Sequence, residues 1–419
     1  MVEKLLKISK LLFCFFFAAL PFRVDALIYD GSRNVGSFFN PYFSHFVYLS
    51  DVFLILSLIF MGAVFFLGGK VFDKKKGDKR HLKLMGLFLA TYAISLLFAF
   101  DLLNSFLHLL RAGEFFVVYY LLWRGHIDLR KVVLWLGGAL FFVSLLAIYQ
   151  FVFQKTLGLH FIGEPFLDPQ KLGVSKLDFL GEKRLRAYGT LVHPNVLGGY
   201  LSVCGLLALG IFKKSRKLIM PVLGIFGIAL AFTFSRSAWI ALVFGMVFFS
   251  WTSRKRFSAK HMFGGMLLVG ILVVLVQLFP IFYERMMFAD FANIQERFLF
   301  LVVSLKMFAA NVFGVGVGNF TGVMQGFVGH ELMPWILQPV HNVYFLIANE
   351  LGFIGVSMFL LVLIYSFSLL FKRAKKVNSS LFAVLVVVCT ISLFDHYFFS
   401  LYQGQVLLWT VFGLIGRGD

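Results

Sequence analysis

Apolar residues fall in long, nearly unbroken runs along this chain, and the polar residues gather in short intervals between them. A helix that crosses a bilayer needs about 20 apolar residues at a rise of about 1.5 Å each. Twelve runs approach that length, near residues 5–22, 48–69, 84–101, 104–123, 132–153, 194–212, 218–234, 237–252, 262–282, 341–371, 380–397 and 403–416. The pattern therefore predicts an all-α polytopic membrane protein of about 12 transmembrane helices, one integral membrane domain over residues 1–419. The first run is short and follows Lys4, Lys7 and Lys10, as the apolar part of a signal peptide would. No small-x-small cleavage site follows it, and Arg23 and Asp25 come soon after, which favours an uncleaved first helix.

Two intervals are too long to be plain turns. Residues 154–193 and 283–340 mix aromatic and apolar residues with Gly and Pro. Loops beyond about 15 residues are usually functional or disordered, and this composition predicts external loop regions folded over the outer mouth. No internal repeat of the kind common in transporters is visible.

Composition narrows the class. Residues of the AVILMFWYC set make up 60% of the chain and charged residues 14%, where soluble domains carry about 25% charge. A soluble enzyme, a disordered tail and a secreted disulfide scaffold are excluded. Cys14, Cys204 and Cys389 all lie inside apolar runs, so they supply neither a disulfide framework nor a zinc cluster. His330 and Glu331 do not make an HExxH site, and no metal or cofactor is expected.

The formal net charge is +19, which in a soluble chain would suggest nucleic acid. Its distribution says otherwise. The N-terminus and every second interval hold Lys4, Lys7 and Lys10; the run from Lys70 to Lys83; Arg124, Arg130 and Lys131; Lys213 to Lys217; Arg254 to Lys260; Lys372 to Lys376; and Arg417. Together these are 26 of the 39 Lys and Arg residues. The positive-inside rule then gives one topology, with both termini cytoplasmic, and the basic excess faces anionic membrane lipids, with no nucleic-acid partner.

The bases left on the opposite side are candidates for holding an anion, because a guanidinium fork matches phosphate bidentately. Four clusters stand out. The first is RLRAYGTLVHPN, from Arg184 to Asn195, where Arg184, Arg186, Tyr188 and His193 precede a helix opened by Pro194. The second is FSRSAW, which holds Arg236 at a membrane edge between two spans; a snorkelling anchor is the plain alternative. The third begins at Glu296 and Arg297. Lys306 follows nine residues later, about 900° around a helix, and so lies on the opposite side from Arg297. Its Gly314, Gly316 and Gly318 read as a tight chain reversal, since no strand precedes them as a phosphate loop requires.

The fourth cluster is QPVHNVYFLIANELG, with His341 and Asn342 at a helix start and an imidazole that can act as a base near neutral pH. Glu350 lies nine residues deeper, about 13.5 Å along the axis, out of reach of His341 in one straight helix. Outside these clusters, Arg111 and Glu114 are spaced to neutralise each other on one helix face. Asp395 and His396 end an apolar run.

The ordered set RAYGTLVHPNVLGGY, FSRSAW, ERFLFLVVSLKMFAANVFGVGVGNF and HNVYFLIANELGFIG resembles the O-antigen ligase and O-antigen polymerase superfamily of bacterial envelope enzymes. The likeness covers roughly residues 180–360, and the rest by topology. It implies a GT-C-like fold in the cytoplasmic (inner) membrane. It also implies an outward-facing site that transfers a glycan from a polyprenyl diphosphate carrier to a glycan, lipid or other hydroxyl acceptor. By motif, Arg186, Arg236 and Arg297 match the arginines facing the donor diphosphate, and His341 matches the catalytic base. Arg184, Tyr188, His193, Asn195, Asn342 and Glu350 take supporting places. One departure is Leu301, where the family often has Trp. A ligase and a repeat-unit polymerase differ in acceptor, which these motifs do not separate. A transporter or flippase of a lipid-linked glycan is the alternative of another class.

Overall fold

The structure, a computed structural model, describes all residues except 32–38, 73–76, 172, 180–181, 213–214, 254–290, 330–331, 333–335, 374–375 and 418–419. Its longer helices are α1 (Val2–Ala19), α2 (Leu49–Phe66), α3 (Lys79–Ser95), α4 (Leu102–Trp123), α5 (Leu129–Phe153) and α6 (Pro194–Ile211). They continue as α7 (Arg216–Phe232), α8 (Arg236–Thr252), α9 (Phe291–Ala310), α10 (Val343–Lys372), α11 (Lys376–Ser392) and α12 (Tyr402–Arg417). Six helical stretches among the described residues are long and apolar enough to cross a membrane: Leu49–Phe66, Lys79–Phe98, Leu102–Trp123, Leu129–Phe153, Pro194–Ile211 and Val343–Lys372. The protein is a multi-pass helical membrane protein. The expected run near 262–282 lies outside the described residues.

Two short antiparallel hairpins depart from the all-α expectation. β1 (Asp25–Asp30) pairs with β2 (Ser44–Tyr48), and β3 (Lys176–Phe179) pairs with β4 (Glu182–Leu185). Both lie in intervals too polar for a buried helix, where a hairpin satisfies the backbone by pairing it with itself.

Helices in lipid gain little from the hydrophobic effect on meeting one another, so close approach at small residues carries much of the packing. α6 and α8 cross where a Cβ on Gly198 would stand 2.9 Å from Cβ of Ala238. A Cβ on Gly210 would stand 2.3 Å from Oγ of Ser380, which brings α6 against α11. Aromatic rings fill the interior between α3, α4, α10 and α12, with Phe88, Tyr119, Phe359, Trp409 and Phe412 in mutual contact.

One end of the bundle holds both termini. Asp78 N–H donates to Gly416 O at 2.7 Å, Arg417 donates to Ile127 O at 2.8 Å, and Ser9 meets His126 at 3.1 Å. The turn carrying Lys70 and the turn carrying Arg124 therefore share that end with the N- and C-terminal helices. The four sequence clusters lie at the other end.

Helix α10 is not one rod. Gly352 takes φ 70° and ψ −172°, and this break separates an outer piece that starts at Val343 from the remainder. The chain reversal at Gly314, Gly316 and Gly318, all with positive φ, is stitched into the break at Gly352. Val315 N–H donates to Asn349 O, Phe353 N–H donates to Val312 O, and Glu350 accepts from Gly318 N–H at 2.7 Å and Phe320 N–H at 3.2 Å.

Candidate functional site

Three of the helices that begin at the end away from the termini, α6, α8 and α10, carry the sequence clusters, and each of these starts is capped by a side chain. His193 caps α6, its Nδ1 accepting from Asn195 N–H at 3.1 Å, with Pro194 in the first turn where its missing N–H costs nothing. Ser235 caps α8 by accepting from Ala238 N–H, and Arg236 is the first helical residue. Phe234, with φ 51°, makes the sharp reversal that leads into that helix. Asn342 caps α10 through Phe345 N–H at 3.1 Å and donates its amide to Leu393 O at 3.1 Å. Each start carries the partial positive charge of a helix N-terminus.

Arg186 ties two of these starts together. It is 4% exposed. Its Nε donates to Thr233 O at 2.7 Å, one NH to Ser175 Oγ at 2.6 Å and the other to Asn195 Oδ1 at 2.8 Å. Thr233 is two residues before the cap of α8, and Asn195 is in the first turn of α6. A fork with three separate nitrogens is what this bridge requires.

The bridge continues inward. Asn195 donates its amide to Asp395 Oδ2 at 2.7 Å, and Asp395 Oδ1 accepts from His396 N–H at 2.9 Å. The His396 ring meets the His341 ring edge-on at 5.1 Å between centroids, and its Nδ1 meets Ser400 Oγ at 2.6 Å. Arg297, exposed in the first half of α9, reaches Phe394 O at 3.4 Å, next to Asp395. Glu296 beside it accepts from the Gln338 amide, which ties α9 to the His341 segment.

Charge in this cluster is set by burial first. Burial, then the positive charge of His396 and Arg297, pushes His341 well below the ordinary imidazole range. Burial and Arg186 lower His193 to about 3, while burial and Arg297 lower His396 to about 4 against the pull of Asp395. Burial opposes charge on Asp395, but the histidine cluster and Arg297 outweigh it and keep the carboxyl below its usual value. Near neutral pH the centre therefore holds one carboxylate among neutral imidazoles, under a guanidinium.

His341 is half-exposed, with Nδ1 buried and without a hydrogen-bond partner among the described residues. A neutral imidazole half open at the edge of such a cluster has the form a general base needs.

The structure gathers some of the expected residues and separates others. Arg186, His193, Asn195, Arg297, His341 and Asn342 are joined through the Asp395 segment. Arg236 sits three residues past Thr233 and is half-exposed. Tyr188 is buried behind Arg186, where its hydroxyl accepts from Ser175 N–H. Arg184 lies on β4 and reaches Glu182 at 3.8 Å. Glu350 belongs to the glycine reversal described above, and its hydrogen bonds serve that loop. Asp395 and His396 are the centre of the arrangement. The only sequence signal for them is their polarity at the end of an apolar run. Ser175 and Thr233 carry no sequence signal, because one contributes a hydroxyl and the other a backbone carbonyl.

Among the described residues no group of three or more His, Cys, Asp or Glu is placed to hold a metal ion. The O-antigen ligase family model matches residues 221–360, a stretch that includes Thr233, Arg236, Arg297 and His341. No curated protein matches the chain.

Proposed function

Because residues 221–360 match the O-antigen ligase family, we propose that the chain belongs to that superfamily and is a glycosyltransferase acting on a polyprenyl diphosphate-linked glycan. It moves the glycan to an acceptor hydroxyl at the outer face of the bacterial cytoplasmic membrane, in the manner of an O-antigen ligase. The fold in this reading is GT-C-like with about twelve spans. In this reading the end with both termini lies in the cytoplasm and the histidine cluster outside, which the positive-inside rule supports through the basic turns.

One observation carries the proposal: His341 packs on His396 in the cluster that holds Arg297 and the clamp of Arg186, at the starts of α6, α8 and α10. In the proposed reaction the acceptor hydroxyl gives its proton to His341, and its oxygen attacks the anomeric carbon of the donor sugar. The bond from that carbon to the diphosphate breaks, and the diphosphate leaves with the electron pair. Arg236 and Arg297, with the helix starts, offset the charge that the leaving group gains. Arg186 holds the starts in place and adds its charge from behind. The carrier bond is already activated, so the reaction as written draws on neither metal nor nucleotide.

The test is reconstitution in proteoliposomes with a polyprenyl diphosphate-linked repeat unit and lipid A–core, with the products sized. A carrier-free glycan on lipid A–core is the expected product. A ladder of repeats on the carrier makes the protein a polymerase instead. Movement of the lipid-linked glycan between leaflets without any transfer makes it a flippase.

A further inference from the structure

The donor side of the cluster is marked by its cations. A second segment that meets His396 is Asn40–Tyr42, nearly 300 positions before His341. Asn40 is 7% exposed, and it fastens that segment in two directions. Its amide donates to Leu337 O at 3.1 Å, four residues before His341, and its Oδ1 accepts from Tyr42 N–H at 2.9 Å. Phe43 beneath it is fully buried, and a Cβ on Gly322 would lie 2.5 Å from its ring. The position of Tyr42 is thus built rather than incidental. Its ring meets the His396 ring edge-on at 5.5 Å between centroids, so His341, His396 and Tyr42 form a continuous row of three rings.

Tyr42 differs from the rest of the row in charge environment. Arg297 bears on His193, His341 and His396, whereas the charge that bears on Tyr42 is Asp395. A half-exposed phenol has an apolar face and a hydroxyl that both donates and accepts. That combination suits a neutral sugar ring, whose C–H face stacks and whose hydroxyls hydrogen-bond. A diphosphate needs cations, which this segment does not offer.

We propose that Asn40–Tyr42 forms the acceptor subsite, with Tyr42 contacting the terminal sugar of the acceptor while its hydroxyl is held at His341. This rests on the transferase reading above and assigns the acceptor to the Tyr42 end of the row. The segment lies outside the stretch matched by the family model.

The experiment measures transfer in proteoliposomes for wild type, Tyr42→Phe, Tyr42→Ala and Asn40→Ala, titrating lipid A–core and the lipid-linked donor separately. Stacking plus one hydrogen bond gives about a tenfold rise in acceptor KM for Tyr42→Ala. Tyr42→Phe, which keeps the ring, falls between. Donor KM and kcat at saturating acceptor stay within about twofold of wild type. Thermal unfolding of each variant in detergent separates loss of the subsite from loss of the fold, and Tyr42→Phe is expected to unfold as wild type does. An unchanged acceptor KM in folded Tyr42→Ala, or a rise in donor KM instead, overturns the subsite and leaves the transferase standing. Absence of transfer by the wild type under the same conditions overturns both.

Discussion

Replacing Arg186 by Lys keeps the charge and removes the fork, and the structure gives the size of the effect. Lysine offers one nitrogen where arginine places three, on Thr233 O, Ser175 Oγ and Asn195 Oδ1. A hydrogen bond to a charged donor contributes about 1.5–3 kcal/mol net. If Lys keeps one of the three, two are lost, so the variant should be destabilised by about 3 kcal/mol or more. The loss also releases Asn195, and with it one of the donors that hold Asp395. A displacement of about 1 Å at a catalytic centre costs about 10²-fold in rate. Chemical unfolding in detergent reports the first effect, and kcat with donor KM reports the second. Asn195→Ala alone and in combination with Arg186→Lys closes a double-mutant cycle, in which residues sharing one network couple by about 0.5–3 kcal/mol. An Arg186→Lys variant of wild-type stability whose donor KM alone is raised would refute the clamp and make Arg186 a direct ligand of the diphosphate.

Four further outcomes are expected. His341→Asn should fold and bind donor but lose about 10² to 10⁴ in turnover, as His341→Ala does, since Asn cannot take the proton; full transfer by purified His341→Asn ends the base assignment. The acid limb of the wild-type rate should lie below about pH 6.5, because the working form is the neutral imidazole and burial lowers its pKa. The same shifts set stability: His193 and His396 stay neutral in the fold while the unfolded chain takes up protons, so stability is full above about pH 6.5 and falls as pH drops toward 4, which unfolding across pH measures. Gly318→Ala should be severely destabilising, because φ is +80° and the new Cβ would stand 2.1 Å from the His108 ring; ordinary thermal stability in that variant refutes the packing of the glycine reversal.

How far this is legible in the sequence depends on the kind of signal each part leaves. Helices such as Leu129–Phe153 are spelled out by apolar runs, and the glycine reversal by its three glycines. The hairpins leave no such trace, because Asp25–Asp30 and Ser44–Tyr48 are short and pair across a gap that carries no pattern of its own. The arginine and histidine motifs come together at one end of the bundle, but their division of labour does not show in the letters. Arg186 and Arg297 look alike as letters, yet one is buried on three acceptors and the other is exposed. Asp395 and His396 bind the cluster together from a distance of about 200 residues, and only folding brings them there.

The break at Gly352 has a mechanical consequence for a protein in a fluid bilayer. A rigid thirty-residue rod would pass any change in membrane thickness straight to its tip, because a helix answers mismatch by tilting. Here the tip that follows His341 is anchored sideways to residues 312–320, and its joint to the lipid-embedded length is a glycine. A change in tilt of the longer piece is expected to reach the tip only through that joint. The expected consequence is a histidine cluster that keeps its spacing in a thin or a thick membrane alike.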